Sequence, residues 1–417
     1  MLLGTLYKDM QKRVSILEEF VAYNGILGGA ADQDGSSIAS EDDILALEDE
    51  SGRIKLVGNL IDAFKGGLVT GIVVALKGSV INGEFDVQDL YYYGDALSTM
   101  PTTYNNNLSA DNSQPCYVML VSGLEVGAVL DENDPFTLSH QMLVDFIAGR
   151  LSSDGEKKIA KNICRVIIAG NSISSSSANA DVTESVAPMN KSLLHSKIQN
   201  ETSAPMKHFD TIISQALGSC PIDIMPGISD PAVRLMPQQP FHPCLFSHGV
   251  RFSTLKLCTN PYEISINNKL ILGHSGQPVF DINRQVIRGG NSSSDSMDIV
   301  SDNDKCNNTS ELSVLESTLS WGNICPTAPD TLPCYPFTQE DLFILRAGEL
   351  PNIYFSGNCT KFATKLFAPK TLNSSTPSNQ VTRLICVPSF KSTGQVVLCD
   401  VNSKDFQCFT ISFSNVL

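Results

Sequence analysis

The residues of this sequence whose types could do chemistry gather in six short stretches. They are Ser122-Gly123-Leu124, Gly170-Asn171, Pro226-Gly227-Ile228-Ser229-Asp230-Pro231, Gly273-His274-Ser275-Gly276-Gln277, Cys325-Pro326-Thr327-Ala328-Pro329 and Gly357-Asn358-Cys359-Thr360. Hydroxyls and amides dominate: Ser122, Asn171, Ser229, Asn358 and Thr360 give and accept hydrogen bonds but carry no charge. Asp230 is the one carboxylate of the set and His274 the one imidazole. A bound divalent ion needs several anionic or imidazole ligands to offset its charge, so such a set predicts a pocket empty of metal. His242 and His248 flank Cys244 and read as loop residues, because a metal site needs more than this. The sequence has no Gly-x-Ser-x-Gly elbow for a nucleophilic serine and no glycine loop with its lysine for phosphates. Its 12 cysteines include no Cys-x-x-Cys pair, the nearest neighbours being Cys325/Cys334 and Cys399/Cys408. Free thiols in a reducing compartment are the expectation.

The elements that must position these stretches fall into two kinds. Up to about residue 100 the pattern is strands and turns. Ser51-Gly52 separates two strand-like runs within Asp43–Leu56, and Asn82-Gly83 supplies the two positive-φ residues of a tight hairpin after the apolar run Leu68–Leu76. Ser15–Tyr23 carries Ile16, Leu17, Phe20 and Val21 at helical spacing. Several strands with one helix predict a small barrel of the oligonucleotide/oligosaccharide-binding (OB) type over residues 1–112. A polar stretch, Ser98–Pro115, then reads as a linker. Beyond it, strands at Tyr117–Val121, Arg165–Ala169 and Ile222–Met225 alternate with helices at Leu138–Leu151 and Met206–Leu217, which predicts an α/β layered domain over 113–417. Polar insertions are expected near 172–203 and 286–310. In α/β domains chemistry collects in the loops after the strands, where the stretches above lie.

With 417 residues, 42% hydrophobic and 18% charged, the chain is long enough for two cores. Lys and Arg total 29 against 44 Asp and Glu, a net charge of −15. That balance argues against a chain that grips a phosphate backbone by itself and suits docking on basic protein segments. Met1-Leu2-Leu3 is followed by Lys8 and Asp9, leaving no apolar region of a signal peptide, and no window reaches the roughly 20 apolar residues that span a bilayer.

The order and spacing of the six stretches resemble the calcineurin-like metallophosphoesterases, which place Asp-x-His, Gly-Asp, Gly-Asn-His-Asp/Glu, a lone His and Gly-His-x-His there to hold two metal ions. On that pattern Ser122 and Leu124 replace Asp and His, Asn171 replaces the bridging Asp, Ile228 and Ser229 replace Asn and His, and Asn358 and Thr360 replace the paired histidines. Asp230 keeps a carboxylate, at a position that is not a principal ligand. A barrel followed by such a degenerate domain is similar to the small (B) subunits of the replicative DNA polymerases. Strings that match the delta branch include Gly4–Lys8, Leu47–Glu50, Leu120–Leu124, Arg165–Asn171, Asp223–Gly227, Leu235–Pro240, Cys258–Pro261, Pro326–Pro336 and Ile353–Asn358.

The resemblance implies a nuclear, non-catalytic scaffold subunit with no cofactor and no metal. It implies as partners the polymerase delta catalytic subunit, held through that subunit's cysteine-rich C-terminal region, and the third polymerase delta subunit. DNA would be reached mainly through the complex. Family members carry several dozen residues ahead of the barrel, and those are not in this chain. The alternatives are an active metal-dependent phosphoesterase or nuclease, and a stand-alone single-stranded DNA-binding protein.

Overall fold

A computed structural model of the chain describes residues 1–13, 37–94, 114–127, 135–151, 153–174, 191–287, 310–336, 341–346, 350–368 and 381–413. They group by contacts into two compact units. The first is Met1–Thr103 with Pro278–Leu350 and Phe367–Val381; the second is Tyr104–Gln277 with Pro351–Leu366 and Thr382–Leu417. The grouping follows packing rather than chain order.

In the first unit, β1 (Leu2–Asp9), β2 (Ile44–Asp49), β3 (Gly52–Val57), β4 (Val73–Ile81) and β5 (Glu84–Tyr92) close a barrel in the order β1-β2-β3-β5-β4. β3 and β5 pair parallel and the other neighbours antiparallel. Period-two alternation sends Val74 and Leu76 of β4 and Phe85 and Val87 of β5 inward. Both expected hairpins form. Asn82 and Gly83 take φ of 54° and 85°, the pair a type I′ turn requires. The apolar run from Leu68 enters β4 only at Val73. Before that, Thr70 Oγ1 accepts from Lys8 N and Gly71 N donates to Leu6 O, so the chain is tied to β1 by single bonds rather than by a ladder. The helix expected at Ser15–Tyr23 lies outside the described residues.

Helices α1 (Asn59–Phe64) and α6 (Ser310–Trp321) belong to the same unit, as does α5 (Gln277–Gln285) from Pro278 onward. A buried lysine ties α5 to the barrel. Lys8, 1% exposed, donates its ammonium to Gln285 O at 2.7 Å and stands 3.6 Å from Asp43 Oδ2. Gln285 Nε2 donates to Thr331 Oγ1, which donates to Asp281 Oδ2. Arg13 donates to the Asp330 carboxylate at 2.6 Å.

The second unit is two stacked sheets with helices on one outer face. The first sheet runs β16 (Cys408–Ser412), β15 (Gln395–Asp400), β6 (Tyr117–Val121), β7 (Ile163–Ala169), β8 (Ile222–Met225), β9 (Leu255–Leu257). The second runs β10 (Tyr262–Ile266), β11 (Lys269–His274), β12 (Ile353–Cys359), β14 (Thr382–Pro388), β13 (Ala363–Phe367). β6 to β9 are mutually parallel, and so are β11, β12 and β14. The central strands read as unbroken apolar runs because both of their faces are covered. Val118, Leu120, Ile167 and Ala169 meet Ile271, Ile353, Phe355 and Ile385 of the other sheet. Their alternates Met119, Val121, Val166 and Ile168 meet helices α2 (Pro135–Ile147) and α4 (Lys191–Leu217) through Phe146, Phe209 and Ile213. The third helix there is α3 (Asp154–Lys161).

Two boundaries differ from expectation. The helix expected to reach Leu151 ends at Ile147, because Gly149 turns left-handed at φ 69° and its N–H closes back on Phe146 O. The helix expected from Met206 begins at Lys191, so the last part of the polar stretch 172–203 is helical, and Asn171–Ser174 is ordered beside β7. Residues 175–190 and 288–309 of the two expected insertions lie outside the described residues, as do 98–113 of the linker. No helix among the described residues is long and apolar enough to cross a membrane.

Candidate functional site

Parallel pairing brings the carboxyl ends of β6, β7, β8, β11, β12 and β14 to one edge of the second unit, and the loops that follow them meet there. Ser122 is fully buried. Its Oγ is shared between Val387 O at 3.2 Å and Pro388 O at 3.1 Å, and accepts from Asn358 N at 2.9 Å. Asn358 donates its Nδ2 to Ser275 O at 2.7 Å and Ala169 O at 3.2 Å. Asn171 accepts at Oδ1 from Ser229 N, and Ser229 Oγ donates to Ile173 O. These side chains stitch the ends of all six strands together. Leu124 takes no part in the stitching: it is buried in the helix-side core, and its carbonyl accepts from His140 Nε2 at 2.9 Å. Ile228 is 40% exposed and Thr360 is exposed. Cys325–Pro329, expected beside the others, belongs to the first unit.

Asp230 is buried and used entirely by backbone. Its Oδ1 accepts from Ser172 N at 2.8 Å and Ile173 N at 3.0 Å, and its Oδ2 from Gly227 N at 2.7 Å. Burial pushes the carboxyl up to about 6, against the opposing pull of those N–H groups. His274 is also buried. Its Nδ1 accepts from Gly276 N at 3.1 Å, its ring meets the Tyr354 ring edge-on, and desolvation brings its pKa down to about 3, so the imidazole is neutral. His242 accepts at Nδ1 from Cys244 N and caps a short 3₁₀ turn, and His248 N donates to Asp210 Oδ2, so both are loop residues.

The backbone at this edge is tight. Asn171 and Asn358, which the sequence pattern leads us to expect at ligand positions, sit left-handed at φ 52° and 54°. Non-glycine residues hold that conformation where surrounding structure imposes it, and such positions cluster at functional sites. A methyl group on Gly357 would stand 2.6 Å from Ala169 O, and one on Gly170 2.5 Å from Ser275 Cβ and 2.8 Å from Gly227 Cα. The loops are closed on one another at backbone distance, and short polar side chains fill what space is left. Among the described residues no group of three or more His, Cys, Asp or Glu could hold a metal ion.

A second polar cluster was missed by sequence reasoning. Asn260 Nδ2 faces three acceptors within hydrogen-bond distance, Gln238 Oε1, Ser275 Oγ and Gln277 Oε1, among which its two hydrogens are shared, while Ser275 N donates to Asn260 Oδ1. Gln238 returns its Nε2 to Gly227 O and Val233 O. The signal available was the run of amides inside otherwise apolar or proline-bearing strings, Met236-Pro237-Gln238 and Thr259-Asn260-Pro261. A buried amide has to be hydrogen-bonded, and these residues find one another.

A closed five-stranded barrel ahead of a two-sheet layered unit is matched by two family profiles. One, for the DNA polymerase alpha/epsilon B subunit, covers residues 118–364, and the other, for the DNA polymerase delta subunit OB-fold domain, covers 1–90. The chain belongs to the B-subunit family of DNA polymerases. Within it, the similarity is to the DNA polymerase delta small subunit of Oryza sativa subsp. japonica (34% identity over 99% of this chain and 83% of the relative) and that of Arabidopsis thaliana (34%, over 99% and 81%). The Drosophila melanogaster protein named DNA polymerase delta subunit 2 is 33% identical over 99% of this chain and 83% of its own. The family is therefore that of the delta small subunits. A solved archaeal phosphodiesterase superposes on 71% of this chain and 99% of its own at a TM-score of 0.29 and 8% identity, too loosely to bear on the argument.

Proposed function

We propose that this chain is the non-catalytic accessory subunit of a nuclear polymerase delta complex. Its OB barrel spans 1–112 and a phosphoesterase domain that has lost its metal ligands spans 113–417. It bridges the cysteine-rich C-terminal region of the catalytic subunit and the third subunit in replication and repair synthesis. The observation that carries this reading is the closed strand-end edge. At the ligand positions of the phosphoesterase pattern, Ser122, Asn171 and Asn358 are bonded to the neighbouring strand ends, and Asp230 is spent on three backbone N–H groups. Two divalent ions a few ångströms apart need anionic ligands and room, and neither is offered there.

The barrel supports docking on protein rather than gripping nucleic acid. Its five strands carry four basic residues, and each is paired with an acid: Lys8 with Asp43, Arg53 with Glu48, Lys55 with Glu84 and Lys77 with Asp89. A phosphate would have to displace an existing partner, and Arg53 additionally lies 3.8 Å over the Tyr7 ring.

The test is co-expression with a polymerase delta catalytic subunit, with and without its cysteine-rich C-terminal region, followed by elemental analysis of the purified chain. Expected are co-purification that depends on that region, and no stoichiometric Mn, Fe or Zn on this chain alone. Tight two-metal occupancy with hydrolysis of a phosphodiester would sink the scaffold reading in favour of an active phosphoesterase.

A further inference from the structure

One edge of the six-stranded sheet carries two cysteines that the scaffold reading does not use. β15 and β16 run antiparallel with Cys399 directly opposite Cys408. Asp400 N donates to Gln407 O at 2.9 Å and Phe413 N to Gly394 O at 2.7 Å, so the hydrogen-bonded pairs of this ladder fall on the even-numbered residues of β15. Cys399 and Cys408 therefore form a non-hydrogen-bonded pair, whose Cα atoms stand about 4.5 Å apart. Disulfides span Cα separations of about 4.4–6.8 Å. Both thiols donate to one carbonyl, Phe406 O, at 3.5 and 3.1 Å, which brings both sulfurs to the same side of the strand pair. Cys399 is fully buried and Cys408 half-buried. β16 ends the sheet and is held in it by β15.

We propose that Cys399 and Cys408 form a redox modification site, at which a hydroperoxide converts the dithiol into a cross-strand disulfide that pins β16 to the sheet. Cys408, the more accessible thiol, meets the oxidant first. Its thiolate sulfur attacks one peroxide oxygen, the O–O bond breaks, and the sulfur becomes a sulfenic acid while the departing hydroxide takes up the thiol proton as water. The Cys399 sulfur then attacks the Cys408 sulfur. The S–O bond breaks, the S–S bond forms, and the departing hydroxide leaves with the Cys399 proton as a second water. In balance, two thiols give up two electrons and two protons to one hydrogen peroxide, which is reduced to two waters. The order follows from the surroundings. The hydrogen bond with Cys408, and burial after it, push the Cys399 thiol well above its ordinary value, which makes it the poorer nucleophile towards peroxide; its place directly opposite Cys408, not its acidity, gives it the second step.

The sequence makes the test direct. Tryptic cleavage after Lys391 and Lys404 leaves Cys399 in the peptide Ser392–Lys404 and Cys408 in Asp405–Leu417. The full chain is treated with hydrogen peroxide, remaining thiols are alkylated, and the digest is read by mass spectrometry. Expected is one species lighter by two hydrogens than the two peptides together, which separates on reduction, and an upward shift in Tm of the oxidised chain that reductant reverses. C399A and C408S should each abolish the linked species, and in C399A the Cys408 peptide should carry the sulfenic or sulfinic form instead. Oxidation of Cys408 in the unaltered chain without linkage to Cys399, or linkage of either to another cysteine, overturns the proposal.

Discussion

Two buried titratable groups at the strand-end edge act on stability in opposite senses. The folded carboxyl of Asp230, raised to about 6 from an ordinary 3.8, holds its proton more tightly than in the unfolded chain. Its drag on stability is absent below about pH 4 and grows as the pH rises to about 6, since stability falls with pH wherever the folded state binds more protons. Folded His274, lowered to about 3 from 6.5, binds its proton less tightly. Its drag is absent above about pH 6.5 and grows as the pH falls towards 3. Single substitutions separate the two. Asp230→Asn should flatten the decline between pH 4 and 6. It should also cost about 1–3 kcal/mol near neutrality, because an amide NH₂ then faces one of the three backbone donors. His274→Gln should flatten the acid limb below pH 6.5. Denaturant titrations of both variants and the parent from pH 3 to 8 check the signs. A parent curve that neither variant alters would show that neither group changes its proton affinity on folding.

The bond most exposed to test among elements is the buried contact of β1 with α5. Removing one partner of a buried pair leaves a charge without compensation, which costs about 3–5 kcal/mol. Lys8→Met strips Asp43 of its ammonium and Gln285 O of a 2.7 Å donor. The variant should lose stability of that order in denaturant titration, and amide exchange should rise in Pro278–Gln285 more than in β4 and β5, which keep their own ladder. Uniform loss of protection across the barrel would mean that the pair supports the barrel rather than the helix. Lys8 also shows where reading the sequence stops. The hairpins at Ser51-Gly52 and Asn82-Gly83 and the three parallel strands were legible because turn chemistry and two-sided burial leave local signatures. Lys8, in contrast, looks like any solvent-facing residue of an alternating strand, and its partners Asp43 and Gln285 are 35 and 277 positions away. The same holds at the strand ends. The loops themselves could be found, and Ser122, Asn171, Ser229, Asp230 and Asn358 do meet there, but the amide cluster of Gln238, Asn260 and Gln277 depends on contacts between separate loops. Leu124 turned to the core and Thr360 to solvent because a residue near a strand end has two faces to choose from, and its spacing alone does not choose.

At the scale of the whole molecule, charge and surface pairing bear on whether such a chain meets nucleic acid directly. Affinity for single strands comes from basic side chains that displace counterions and from aromatic faces on which bases stack. Here the net charge is −15. The exposed basic residues of the barrel strands, Arg53, Lys55 and Lys77, are each within 3.0 Å of a carboxylate. A strand of DNA would gain little by breaking such surface pairs, and it would approach an acidic body against long-range repulsion. The full chain by itself should therefore bind a labelled single-stranded oligonucleotide weakly at low salt and not measurably at physiological salt, with a shallow slope of log affinity against log salt. Fluorescence anisotropy over a salt series is the measurement. Tight binding with a slope equivalent to several released counterions would place a DNA-binding face on this chain. Weak binding alone, together with salt-sensitive binding once the catalytic subunit is added, is the pattern of a subunit that reaches DNA through its partner.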